Sequence, residues 1–151
     1  MADDDSKVDD PCAHAVHTDA DARPTAEQRP LPDAVTKKPV EAKSAAEWAY
    51  QRLILYIQNF EEQLDEDHEV AIGVADGPGV MRILGMGYFD PDIVTFYGAD
   101  PGGHRMQLIQ HVSQLSVALK AIPKRVEAEK AERIGFRLAA DLEDPVPQSE
   151  S

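Results

Sequence analysis

The sequence predicts a mainly β fold with flanking helices: an N-terminal helix, a small five-stranded barrel and a C-terminal helix. Three observations carry this reading. Apolar residues recur with a period near 3.6 between about 45 and 65, and the period drops to 2 from His68. Turn sequences rich in Gly, Pro and Asp then divide the chain into five short extended segments ending near Ile122. Helix and strands together occupy only 78 residues, from 45 to 122. A flat sheet of that size would leave two edges and be covered on one face by a single helix. Curling it into a small open barrel, with the helix across one opening, uses the same apolar residues better. An SH3-like barrel is therefore expected, with an oligonucleotide-binding-type barrel as the nearest competitor. A ferredoxin-like fold is disfavoured because no helix lies between the strands.

Residues 1–43 read as a disordered, acidic and Pro-rich arm, with prolines at 11, 24, 30, 32 and 39. Its Cys12, His14 and His17 could be written as a metal-ligand cluster, but no apolar framework fixes them, so neither a metal nor another cofactor is expected. Ser44-Ala45-Ala46-Glu47 is a capping box that starts the first helix. Ala49, Leu53, Tyr56, Phe60 and Leu64, widened by Trp48, Ile54 and Ile57, form its core stripe. It should end in Asp65-Glu66-Asp67, a solvated connection. The strands follow: one from His68, ending at Asp76-Gly77-Pro78-Gly79; Val80 to Phe89, with bend glycines at Gly85 and Gly87; Ile93 to Tyr97; Arg105 to His111; and Leu115 to Ile122. A C-terminal helix is expected over 123–143, begun by Pro123 and supported by a Glu129–Arg133 pair. Residues 133–138 also alternate like a strand. The tail 144–151 should fray.

The chain has 151 residues and a formal charge of -13, and residues 45–122 alone hold eleven acids against four bases. That argues against clamping a phosphate backbone as the main task. One cysteine leaves no intrachain disulfide. The N-terminal Met1-Ala2-Asp3-Asp4-Asp5 resembles no signal sequence, and no apolar run reaches 18 residues, so a cytoplasmic protein without membrane attachment is expected.

The stretches Gly87-Tyr88-Phe89-Asp90-Pro91-Asp92-Ile93-Val94-Thr95-Phe96-Tyr97-Gly98 and Leu108-Ile109-Gln110-His111-Val112-Ser113-Gln114 resemble an uncharacterised bacterial family of unknown function, DUF6173, over residues 45–142. More distantly, Asp76-Gly77, the bend glycines Gly85 or Gly87, Phe89-Asp90 and Ile109-Gln110-His111 resemble the Sm-like proteins, including the RNA chaperone Hfq. That resemblance implies a helix followed by a five-stranded bent barrel, rings built by pairing the fourth strand with the fifth of the next subunit, and RNA contacts near the end of the fourth strand. Gln110 stands where Hfq has a lysine, and the surrounding charge is negative.

Phe89, Asp90, Gln110 and His111 are the candidate ligand or RNA contacts, with Arg105 and Ser113 as assembly or second-rank contacts. His111 could stack on a base or donate to a carbonyl, against the plainer reading of a satisfied strand-end residue. Gln110 could read a base edge or serve a subunit seam. Phe89 could be a stacking platform, although a Phe beside bend glycines is more often core. Asp90 and Asp92, with His111, have the residue types of acid/base catalysis, yet Asp-Pro-Asp is also what a turn selects. No catalytic residue is assigned. The expectation is a non-enzymatic, oligomerising module that binds protein partners, with an RNA-binding ring as the alternative and a small acid/base enzyme third.

Overall fold

The computed structural model describes residues 13–74, 79–126 and 128–143. Its elements, in chain order, are helix α1 (Asp33–Thr36), helix α2 (Ala45–Glu61), strands β1 (His68–Val74), β2 (Val80–Phe89), β3 (Ile93–Ala99), β4 (Arg105–His111) and β5 (Val117–Pro123), and helix α3 (Ile134–Glu143). One-turn 3-10 helices lie at Ala26–Gln28, Val40–Ala42 and Val112–Gln114.

The five strands form one antiparallel sheet in the order β4-β3-β2-β1-β5. No ladder joins β4 to β5 among the described residues, so the sheet is open and the expected barrel is not closed. The reason lies in the chain's path: after β4 the turn Val112–Gln114 redirects it, and β5 then pairs with β1 along its whole length, Val74↔Val117 to His68↔Pro123. The inner face is covered by α2 instead.

Alternation along the strands sends Val70, Ile72, Met81, Ile83, Val94 and Phe96 to that inner face, where Ala46 and Ile57 of α2 meet them. Each large member contributes about 1.5–3 kcal/mol by leaving water. The helical period holds for Ala49, Leu53, Phe60 and Leu64, which pack around this core. Tyr56 instead points away from it and donates its hydroxyl hydrogen to Glu27. The β2–β3 register shifts between Ile83 and Gly85, a bulge that leaves Leu84 outside. Opposite it, Gly98 allows the closest approach: a Cβ there would stand 2.0 Å from the Arg82 carbonyl oxygen.

Three expectations change. From Arg23 the arm expected to be disordered is laid along α2 as a strap: Val35 is fully buried, Asn59 Nδ2 donates to the Pro24 carbonyl at 3.0 Å, and Arg29 meets Glu62 at 2.9 Å. A single apolar anchor and scattered polar contacts leave no periodicity to detect. The C-terminal helix begins at Ile134, not 123: Pro123 closes β5, and residues 124–126 and 128–133 run irregularly, meeting the α2–β1 connection. Arg133 does not pair with Glu129. Its guanidinium donates to the carbonyls of His68 (2.8 Å), Asp65 (2.8 Å) and Leu64 (3.4 Å), so the acidic connection receives the C-terminal segment through its backbone. The ambiguity at 133–138 is resolved as helix from Ile134. Cys12, Asp76-Gly77-Pro78 and the tail 144–151 lie outside the described residues. Among those described, no helix is long and apolar enough to cross a membrane.

Candidate functional site

Three elements converge at one end of the sheet: the turn after β2, the end of β4 and the start of α2. Phe89 closes β2 and is 76% exposed, so the core reading of this residue does not hold. Asp90 accepts from the Ser44 hydroxyl at 2.6 Å, and the Pro91 carbonyl, after a cis peptide bond, accepts the Ala46 amide at 3.0 Å. Ser44 also caps α2 by accepting from the Glu47 amide at 2.9 Å. One hydroxyl thus ties the helix start to the turn. The Glu47 carboxylate takes Lys38 at 2.9 Å.

His111 lies opposite Ile93 in the ladder. Its Nδ1 accepts from the Ser113 amide at 3.1 Å and lies 2.8 Å from the Ser113 hydroxyl. That assignment leaves the proton on Nε2, which donates to Asp92 Oδ2 at 3.1 Å. The Val112 amide donates to the Asp92 carbonyl at 2.8 Å. Asp92, His111 and Ser113 therefore form a continuous carboxylate–imidazole–hydroxyl relay. Its geometry is also that of a clamp: Nδ1 caps the 3-10 turn Val112–Gln114, with Asp92 half-buried at one end and Ser113 exposed at the other.

Gln110 faces the other way. It pairs with the core residue Val94, so alternation puts it on the inner face while His111 is on the outer. Its Nε2 donates to the Gln114 carbonyl at 3.3 Å, and its buried Oε1 has no protein partner among the described residues. Gln110 and His111 cannot read one ligand from one face. Arg105 stands at the far end of β4, opposite Ala99, about 20 Å away at strand spacing. The structure thus gathers Phe89, Asp90, His111 and Ser113, adds Ser44 and Asp92, and separates Gln110 and Arg105. No group of three or more His, Cys, Asp or Glu among the described residues is arranged to hold a metal ion.

Sequence reasoning missed two buried carboxylates. Glu61, 1% exposed, accepts the amides of Gly135 (2.9 Å) and Phe136 (3.1 Å) in the first turn of α3. Burial pushes its carboxyl above the usual range, against the opposing pull of those amides and Arg133. Glu69 joins the Arg82 guanidinium and accepts the Glu132 amide at 2.8 Å. Both anchor the C-terminal segment. Neither carried a signal, since a Glu on a helix or strand is ordinarily solvated.

The family model of DUF6173, a family of unknown function, matches residues 38–137, which span α2, the whole sheet and the start of α3. The chain is a DUF6173 protein. No curated protein and no solved structure matches it. The sheet-end cluster falls wholly inside the DUF6173 match, whereas most of the strap, up to residue 37, precedes it.

Proposed function

We propose that this DUF6173 domain is a non-enzymatic, oligomerising module that acts as a protein-interaction or structural adaptor in the cytoplasm, its copies meeting edge to edge. The observation that carries the reading is the pair of open edges. β4 and β5, seven residues each, have one strand neighbour apiece among the described residues. Such edges invite another strand unless charges or covering elements blunt them. Here each edge strand contributes one cationic side chain, Arg105 and Lys120, and no acid.

Beside β4 the outer face carries Ile109 (60% exposed), Tyr97 and Leu84. The bond from Val112 to Asp92 sets the ladder's parity, so Arg105, Gln107, Ile109 and His111 turn their backbone groups outward. The strand order, the 3-10 turn between β4 and β5, and the helix before β1 support a relation to SH3-like barrels of Sm-like type. In that arrangement β4 of one copy adds to β5 of the next.

Light scattering behind size exclusion tests this. The full chain is expected to elute as an oligomer, and Gln107→Pro, which removes an outward amide without touching the β3–β4 ladder, is expected to reduce its mass. A monomeric wild-type chain would overturn the reading.

The alternative, an RNA-binding ring, is favoured by one observation: the exposure of Phe89 on the same face as His111, with Ile93 between them. Asp90 and Asp92 weaken it by placing carboxylates around that ring. Co-purifying nucleic acid that is released at moderate salt would promote it. The acid/base enzyme ranks third because the hydroxyl end of the relay, Ser113, is exposed rather than enclosed in a cleft.

A further inference from the structure

We propose that the face of α2 and α3 on which the strap lies is a docking site for a cationic, amphipathic segment of a partner protein, and that the chain's own strap covers it in cis. Beside the strap a groove of about 360 Å³ stays unfilled, lined by Pro32 and Ala34 of the strap, Leu55 of α2, and Phe136, Ala139 and Leu142 of α3. Val35 is fully buried next to it, yet the strap leaves Phe136 41% exposed. Pro32 and Val35 stand three residues apart, on one side of the α1 turn. Ala34 is too small to fill the space beside them.

The strap is separable from the core. The family match begins at residue 38, and the central cluster of buried residues draws none of its members from the strap. Its seat on α2 is polar. Lys43 donates to the Val35 carbonyl and to Gln51, Asn59 donates to the Pro24 carbonyl, and Glu62 and Glu47 hold Arg29 and Lys38. Groups of these kinds are rehydrated easily when a covering segment leaves. The receptor side contributes Glu47, Glu62 and the groove-lining Glu143, and the strap contributes Arg29 and Lys38. That complementarity defines the partner: a short segment with apolar anchors at three-residue spacing, a larger side chain where the strap has Ala34, and flanking bases. The inference is independent of edge pairing, because the groove is on the helical side of the sheet.

The test uses the full chain and a fluorescent peptide of residues 29–41, made also with Ala34→Leu. Anisotropy titrations compare the wild-type chain with Val35→Asp, which disables the strap's anchor, and Arg29→Glu, which sets the strap against Glu62. Both variants are expected to bind the Ala34→Leu peptide at least about tenfold more tightly than the wild-type chain does, because the cis strap no longer competes at high effective concentration. The affinity should fall with salt. Equal affinity for all three chains, or no binding to either variant, would overturn the proposal. Should Val35→Asp lower the melting temperature, Arg29→Glu alone decides. Oligomeric mass, read in parallel, separates failure here from failure of the edge-pairing reading.

Discussion

Gly98 and Glu61 show how single positions take their meaning from what the fold sets against them. Gly98 has no positive φ, and its constraint is the Arg82 carbonyl and the Met81 side chain across the bulge. Gly98→Ala should therefore destabilise the domain by about 2–3 kcal/mol in urea melts. Gly87, where a Cβ would stand 3.0 Å from Thr95 Oγ1, should tolerate Ala better. Glu61 makes a prediction with an unusual sign. Its carboxyl titrates higher in the folded chain than in the unfolded one, so the native state binds the proton more readily. The stability it contributes is complete below the unfolded value and is lost as pH rises through the folded one. On acidification from neutral, the wild-type chain should thus gain stability relative to Glu61→Gln, measured by urea melts across a pH series. A relative loss would show that the two amides outweigh burial. Asp65 and Asp100 act oppositely. The His68 side chain lowers the first, and the His104 amide lowers the second.

Between elements, the junction of α2 with the β2–β3 turn concentrates the most consequence in one side chain. Ser44 both caps the helix and donates to Asp90. Ser44→Ala should cost about 1–2 kcal/mol of stability by thermal melting. Asp is as good a cap as Ser on an ordinary helix, but at this position it would face the Asp90 carboxylate. Ser44→Asp is therefore expected to restore little of the loss, and full restoration would mean that the contact with Asp90 contributes nothing. The cap was legible in the sequence because its pattern is local. The partner 46 residues away was not, because only the register of β2 with β3 brings that turn beneath the helix.

For the whole molecule, the charge of -13 sets the cost of bringing copies together. Edge pairing multiplies like charges within a few Debye lengths, so assembly should strengthen as salt rises from about 0.05 to 0.3 M. Sedimentation velocity over that range checks it. Assembly that weakens with salt would point to opposite charges at the seam.

Periodicity and turn chemistry in the sequence determined the first helix, expected at about 45–65 and found at Ala45–Glu61, five strands to within a few residues of their observed ends, and the turn at Asp100-Pro101-Gly102-Gly103, closed by the Gly103 amide on Asp100 at 2.9 Å. These features depend on neighbours a few residues apart, and any chain segment carries that information within itself. Tertiary structure alone decided that the sheet stays open, that Gln110 rather than His111 takes the inner face, that residues 23–43 lie against α2, and that Glu61 and Glu69 are buried under the C-terminal segment. Each of these rests on contacts between residues far apart in the chain. The same carboxylate is a solvated side chain or an internal cap according to which amides arrive above it.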